Sequence, residues 1–153
     1  MPVVAAKTMR FAIDSDLASC QQVQQAVMSE VERLGYCQEA TFAIRLSLEE
    51  AIVNAVKHGN KFNPSKHVYV EAQVTPEQTN IAVEDEGTGF DRTCVPDPRC
   101  DENLAKCGGR GILLIEAYMS GVAWSNRGRR LTMWRRNCPD AVECSRHTAG
   151  DPL

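Results

Sequence analysis

Three short stretches of this sequence carry residue types and spacings suited to chemistry. In EEAIVNAVKHGN (residues 49–60), Glu50, Asn54 and His58 recur every fourth residue, so on a helix they form one narrow stripe away from the apolar positions. A solvated helix face would look the same, but Asn is a mediocre residue for a helix interior, which favours a functional reason for Asn54. In VEDEGTGFD (residues 83–91), an apolar run ends in carboxylates and turns on two glycines. Alternation along a strand puts Glu84 and Glu86 on one side and Asp85 on the other, so the three acids do not converge on a metal. A lone carboxylate at a pocket floor accepts only, which suits an exocyclic amine such as that of adenine. Gly87 and Gly89 add no Cβ and would let a flat base or a ribose approach the main chain. Hairpin loops also use Asp and Gly for turn geometry alone, so the stretch is not decisive by itself. In Gly108-Gly109-Arg110-Gly111, glycines open an apolar run; exposed amides at a helix start would receive phosphate, and a flexible joint is the other reading.

The elements that must hold these residues follow from periodicity. Residues 3–13 read as extended, and Asp14-Ser15-Asp16 offers N-cap chemistry for a helix to about Leu34, closed by Gly35, with the apolar stripe Leu17, Val23, Val27, Val31, Leu34. A second helix is expected from about Cys37 to His58, with Ile44, Leu48, Ala51, Ile52 and Ala55 at helical spacing and Gly59-Asn60 ending it. Residues 66–74 and 79–86 read as a hairpin around Thr75-Pro76-Glu77-Gln78. Residues 91–107 hold two prolines and no apolar period, and are expected to form a lid. A helix from the glycine segment, then two strands around Asn126-Arg127-Gly128, complete an α+β two-layer sandwich with helices on one face of a mixed sheet.

Composition narrows the function classes. The chain of 153 residues is expected to be one domain over 1–136, followed by a polar, flexible tail at 137–153. Its 17 basic and 20 acidic residues argue against a general nucleic-acid surface. The basic segment RGRRLTMWRR (127–136) splits its arginines between two strand faces, and an exposed sheet edge accounts for it. No apolar run reaches membrane-spanning length, so a cytoplasmic protein without membrane contact is expected. The seven cysteines are odd in number and irregularly spaced, which reads as reduced thiols; Cys94, Cys100 and Cys107 do not have zinc-knuckle spacing.

The order of these motifs is less accidental than any one of them. Together, EEAIVNAVKHGN, DEGTGF (85–90) and GGRGILLI (108–115) resemble the N box and two glycine boxes of the GHKL ATP-binding superfamily, over about residues 8–136. Within it the sequence is most similar to the small anti-sigma factor serine kinases of the RsbW/SpoIIAB type.

That resemblance implies a Bergerat-type ATP-binding fold and the cofactors ATP and Mg²⁺. Asn54 would hold the Mg²⁺, with His58 next along the nucleotide-facing stripe. Asp85 would take the adenine amine, Gly87 and Gly89 would line base and ribose, and Gly109 and Gly111 would hold phosphate. Glu50 would be the catalytic base toward a serine or threonine hydroxyl. Family members commonly carry a basic residue just before the second glycine box; here Lys106 or Arg110 could serve near the terminal phosphate. The implied partners are an alternative sigma factor, a small STAS-like anti-anti-sigma antagonist that is phosphorylated, and a second copy in a homodimer. A nucleotide-gated binding module without kinase activity, and a detached histidine-kinase catalytic domain, are the competing functions.

Overall fold

The computed structural model describes residues 6–88 and 109–139. The expected lid (91–107), Gly89, Lys106, four of the cysteines (Cys94, Cys100, Cys107, Cys144) and the tail beyond Pro139 lie outside the described residues.

Chain order is β1 (Lys7–Asp14), α1 (Ala18–Arg33), α2 (Gln38–Asn54), a π-helical turn (Ala55–Gly59), β2 (His67–Val74), β3 (Gln78–Glu84), α3 (Gly109–Tyr118), β4 (Gly121–Ser125) and β5 (Arg130–Arg136). The strands form one sheet in the order β1-β2-β3-β5-β4. All four pairings are antiparallel, so the sheet is not mixed as the sequence suggested. The reason is connectivity: none of the pairings joins strands through the same-direction helical crossover that a parallel pair requires. β5 lies inside the sheet between β3 and β4, not at an exposed edge. Its arginines are tolerated there because Leu131 and Met133 are buried while Arg130 meets Glu84 at 3.6 Å.

The local signals mostly worked. Gly35 closes the first helix at φ +72°, a conformation that costs glycine little. α1 begins at Ala18, later than the Asp-Ser-Asp cap implied; Asp16 Oδ1 accepts from the Ser19 amide at 2.8 Å, while Ser15 is engaged elsewhere. Leu17 is consequently exposed, whereas Val23, Val27 and Val31 are fully buried. At the hairpin, Thr75 Oγ1 accepts from the Gln78 amide at 3.1 Å and the Thr75 amide donates to the Gln78 carbonyl at 3.0 Å. Val23, Val27 and Val31 of α1 and Ile44, Leu48 and Ile52 of α2 meet Val68, Val70, Ile81 and Met133 of the sheet in one core. Each such side chain contributes about 1.5–3 kcal/mol on burial.

Cys37 and Cys138 form a disulfide, which corrects the expectation of reduced thiols throughout. Their distance in sequence, 101 residues, concealed it. The end of β5 is brought beside the β2–β3 turn, where the Asn137 amide donates to the Glu77 carbonyl (2.8 Å) and the Asn137 side chain donates to the Pro76 carbonyl (3.0 Å) and accepts from the Cys37 amide (3.1 Å). Cys37 also caps α2, its sulfur accepting from the Ala40 amide at 3.3 Å. A loop of this size is worth about 2–5 kcal/mol, so reductant, or Cys138→Ser, is expected to lower the melting temperature by roughly 10 °C, read by circular dichroism with and without a thiol reductant.

Candidate functional site

α2 positions the first pair. Its inward face (Ile44, Leu48, Ala51, Ile52) is buried against the sheet, which leaves Glu50 and Asn54, one turn apart, on a half-buried flank. Asn54 Oδ1 is buried without a hydrogen-bond partner among the described residues. A buried amide oxygen left unpaired costs about 1–3 kcal/mol, and a hard cation such as Mg²⁺, which prefers oxygen, would satisfy it. The residues present therefore fit the metal that the sequence implied. No group of three or more His, Cys, Asp or Glu among the described residues is arranged to hold a metal ion.

α2 does not continue to His58. It gives way after Asn54 to the π-helical turn, closed by the Asn60 amide on the Ala55 carbonyl at 2.8 Å. The wider i→i+5 turn breaks the four-residue spacing, so the stripe expected over Glu50, Asn54 and His58 stops at Asn54. Burial, with Lys57 beside it, pushes the His58 imidazole below its usual pKa, which leaves it neutral at pH 7.

The same turn delivers Gly59 to the end of β3. Asp85 follows Ile81 and Val83 in the alternation of β3, and so points to the helix side of the sheet, where it is 8% exposed. Glu84 and Glu86 face the other way, as the sequence indicated: Glu84 meets Arg130, and Glu86 accepts from the His67 amide at 2.6 Å. Asp85 Oδ1 accepts from the Gly87 amide at 2.8 Å, and Arg129 Nη1 donates to the Gly87 carbonyl at 3.4 Å. Burial raises the Asp85 pKa above the ordinary aspartate value; the Gly87 amide and then Arg129 pull the other way.

A Cβ on Gly59 would overlap the Asp85 carboxyl group, and one on Gly87 would overlap the Gly59 carbonyl. Both glycines are required by close approach of backbone around the acid. Gly87→Ala is expected to cost about 1–3 kcal/mol, seen as a lower urea midpoint, because the backbone of the π turn cannot yield as a side-chain tip would.

The third segment behaves as its glycines suggested: Gly109 and Arg110 open α3. A Cβ on Gly111 would come within 2.5 Å of Glu50 Oε2, so the start of α3 lies directly against the Glu50 carboxylate. Glu50 and Gly111 thus meet at one place, with Asn54 one helical turn from Glu50 along α2, and Asp85, Gly87 and Gly59 meet at another, just past the end of α2. Gly59, Asn60 and Arg129 were missed from sequence. A Gly-Asn pair at a helix end reads as a cap, and nothing local ties Arg129, in the β4–β5 turn, to a loop on β3.

The sequence profile of the histidine kinase-like ATPase domain matches residues 13–135, and the chain belongs to that family. It is 32% identical to the serine-protein kinase RsbW of Listeria monocytogenes, over 59% of this chain and 61% of that protein. It is 27% identical to the anti-sigma F factor of Clostridium perfringens, over 61% of this chain and 70% of the other. Against the RsbW relative the match thus spans about three fifths of the relative's length. The fold is similar to the crystal structure of the RsbU and RsbW domains of Rv1364c from Mycobacterium tuberculosis, with a TM-score of 0.60 at 16% identity, over 87% of this chain and 33% of that one. No helix among the described residues is long and apolar enough to cross a membrane.

Proposed function

We propose that this chain is a cytoplasmic ATP-dependent protein serine/threonine kinase that sequesters a sigma factor and phosphorylates the antagonist that would release it. The observation that carries this reading is the Glu50 carboxylate against the start of α3, with Asn54 one turn further along α2, its side-chain oxygen unpaired among the described residues, and a buried Asp85 against Gly59 just past that same end of α2. An amine-bearing base and a phosphate chain need those two kinds of place in one cleft.

In this reading Asp85 accepts from the adenine amino group, and Gly87, with Gly89 beyond it, lets the base and ribose lie on the backbone. Gly109 and Gly111 offer main-chain amides to phosphate at the α3 terminus. Lys106 or Arg110 supplies a cation near the terminal phosphate. Asn54 holds Mg²⁺, which when bound neutralises phosphate charge. Glu50 orients a serine or threonine hydroxyl of the antagonist and accepts its proton as the oxygen bonds to the γ-phosphorus and the bond to the β-phosphate oxygen breaks. A homodimer, and the absence of direct nucleic-acid contact, belong to the same proposal.

The test is binding followed by transfer. ATP and ADP should bind with a dependence on Mg²⁺, and labelled γ-phosphate should pass to serine or threonine on a small STAS-like protein. Absence of nucleotide binding would end the reading. Acid-labile phosphate on histidine would replace it with a sensor-kinase domain, and a tight partner complex without transfer would replace it with a nucleotide-gated binding module.

A further inference from the structure

Asn60, directly after the π turn, is only 2% exposed, and its whole side-chain amide is used. Oδ1 accepts from the Glu86 amide at 2.7 Å, while Nδ2 donates to Ser15 Oγ at 2.9 Å and to the His67 carbonyl at 2.9 Å. Ser15 in turn donates to the Lys66 carbonyl at 2.6 Å. One side chain thus ties together the end of α2, the β1–α1 junction, the start of β2 and the loop that leaves β3. The Glu86 amide sits between Asp85 and Gly87, the residues whose hydrogen bond fixes the direction of the Asp85 carboxylate. We propose that Asn60 is the positioning residue that aims Asp85, and that through it the site discriminates adenine from guanine.

The physical basis is the opposite polarity of the two bases at one position: adenine presents an amine where guanine presents a carbonyl oxygen. An acceptor-only carboxylate distinguishes them only while its free oxygen is held in the plane of the base. Burial of Asp85 already raises the cost of its charge, and a loop released from Asn60 would let it turn toward water. The Ser15 contact lies at the far end of the amide and does not touch the loop. Removing it should therefore cost stability without changing the aim of Asp85.

This inference rests on the nucleotide reading above. The experiment measures affinities for ATP, GTP and inorganic tripolyphosphate, each with Mg²⁺, in the native chain, Asn60→Ala and Ser15→Ala, below the unfolding range of all three. Backbone amide exchange of residues 85–87 is followed in parallel. Asn60→Ala is expected to weaken ATP about tenfold, to leave GTP and tripolyphosphate unchanged, and to speed exchange of the Glu86 amide. Ser15→Ala should keep the native ATP:GTP ratio and Glu86 exchange.

Equal loss for all three ligands in Asn60→Ala, or an unchanged ATP:GTP ratio, overturns the proposal. If Asn60→Ala does not fold, Asn60→Asp at pH 8 keeps an oxygen for the Glu86 amide and loses both donations. Its ratio should then stay native, and a collapsed ratio overturns the proposal. Failure of the native chain to bind any nucleotide removes the function itself, and Asn60's role in selectivity with it. Native binding with an unaffected Asn60 variant removes the positioning role alone.

Discussion

Asp85→Asn is expected to weaken ATP about a hundredfold, close to 2.7 kcal/mol, with tripolyphosphate binding unchanged. The size follows from how the carboxylate is held. Asp85 Oδ1 is already committed to the Gly87 amide, so an asparagine there would keep its carbonyl on that amide and turn its NH₂ toward the base. Amine would then face amine, which is worse than an empty position. Calorimetric titration of the two proteins checks it, and a loss below threefold would place the base elsewhere.

The pH dependence has a definite sign. Burial raises the Asp85 pKa, so folding disfavours the ionised acid relative to the unfolded chain. This group's contribution to stability is complete below the unfolded aspartate pKa and is lost as pH rises through the raised folded value. Asp85→Asn should therefore stabilise the ligand-free protein most at neutral pH and least in acid. Binding runs the other way, because only the ionised acid accepts from the amine. ATP affinity should fall as pH drops through that raised pKa, and should be flat over the same range in the variant.

Glu50→Ala is expected to cut phosphate transfer by about 10²–10⁴-fold while Mg²⁺-dependent ATP binding persists. Glu50→Gln separates two contributions. It preserves the shape against which Gly111 packs, and can still orient a hydroxyl, but it cannot take the proton. A loose transition state gives positioning the larger share, so the glutamine variant should recover part of the rate lost in alanine. Single-turnover transfer measures both. Full activity in Glu50→Ala would remove Glu50 from the mechanism, and loss of ATP binding would make it a structural residue under α3.

Most of the secondary structure was legible because its causes are local. The apolar period of α2, the αL glycine after α1 and the Thr75 turn all act over a few residues. The side of β3 on which Asp85 lies was legible too, since strand alternation leaves no choice once Ile81 and Val83 are buried. The π turn was not. It rests on the docking of Gly59 against Asp85 and of Asn60 against Glu86, contacts across 26 residues. The placement of His58 goes with it, because α-helical spacing does not carry across a π turn.

Pairing sense, the internal place of β5 and the Cys37–Cys138 bond were hidden for a related reason: each depends on which strand ends become neighbours, and spacing along the chain is silent on that. By itself the sequence determined the types of the reactive groups and the elements that carry them, because propensity and periodicity act at short range. Only the tertiary structure decided that Glu50 meets the start of α3, that the Asn54 oxygen has no partner among the described residues and that Asp85 is enclosed by two glycines. Those facts depend on close packing between segments far apart in the chain.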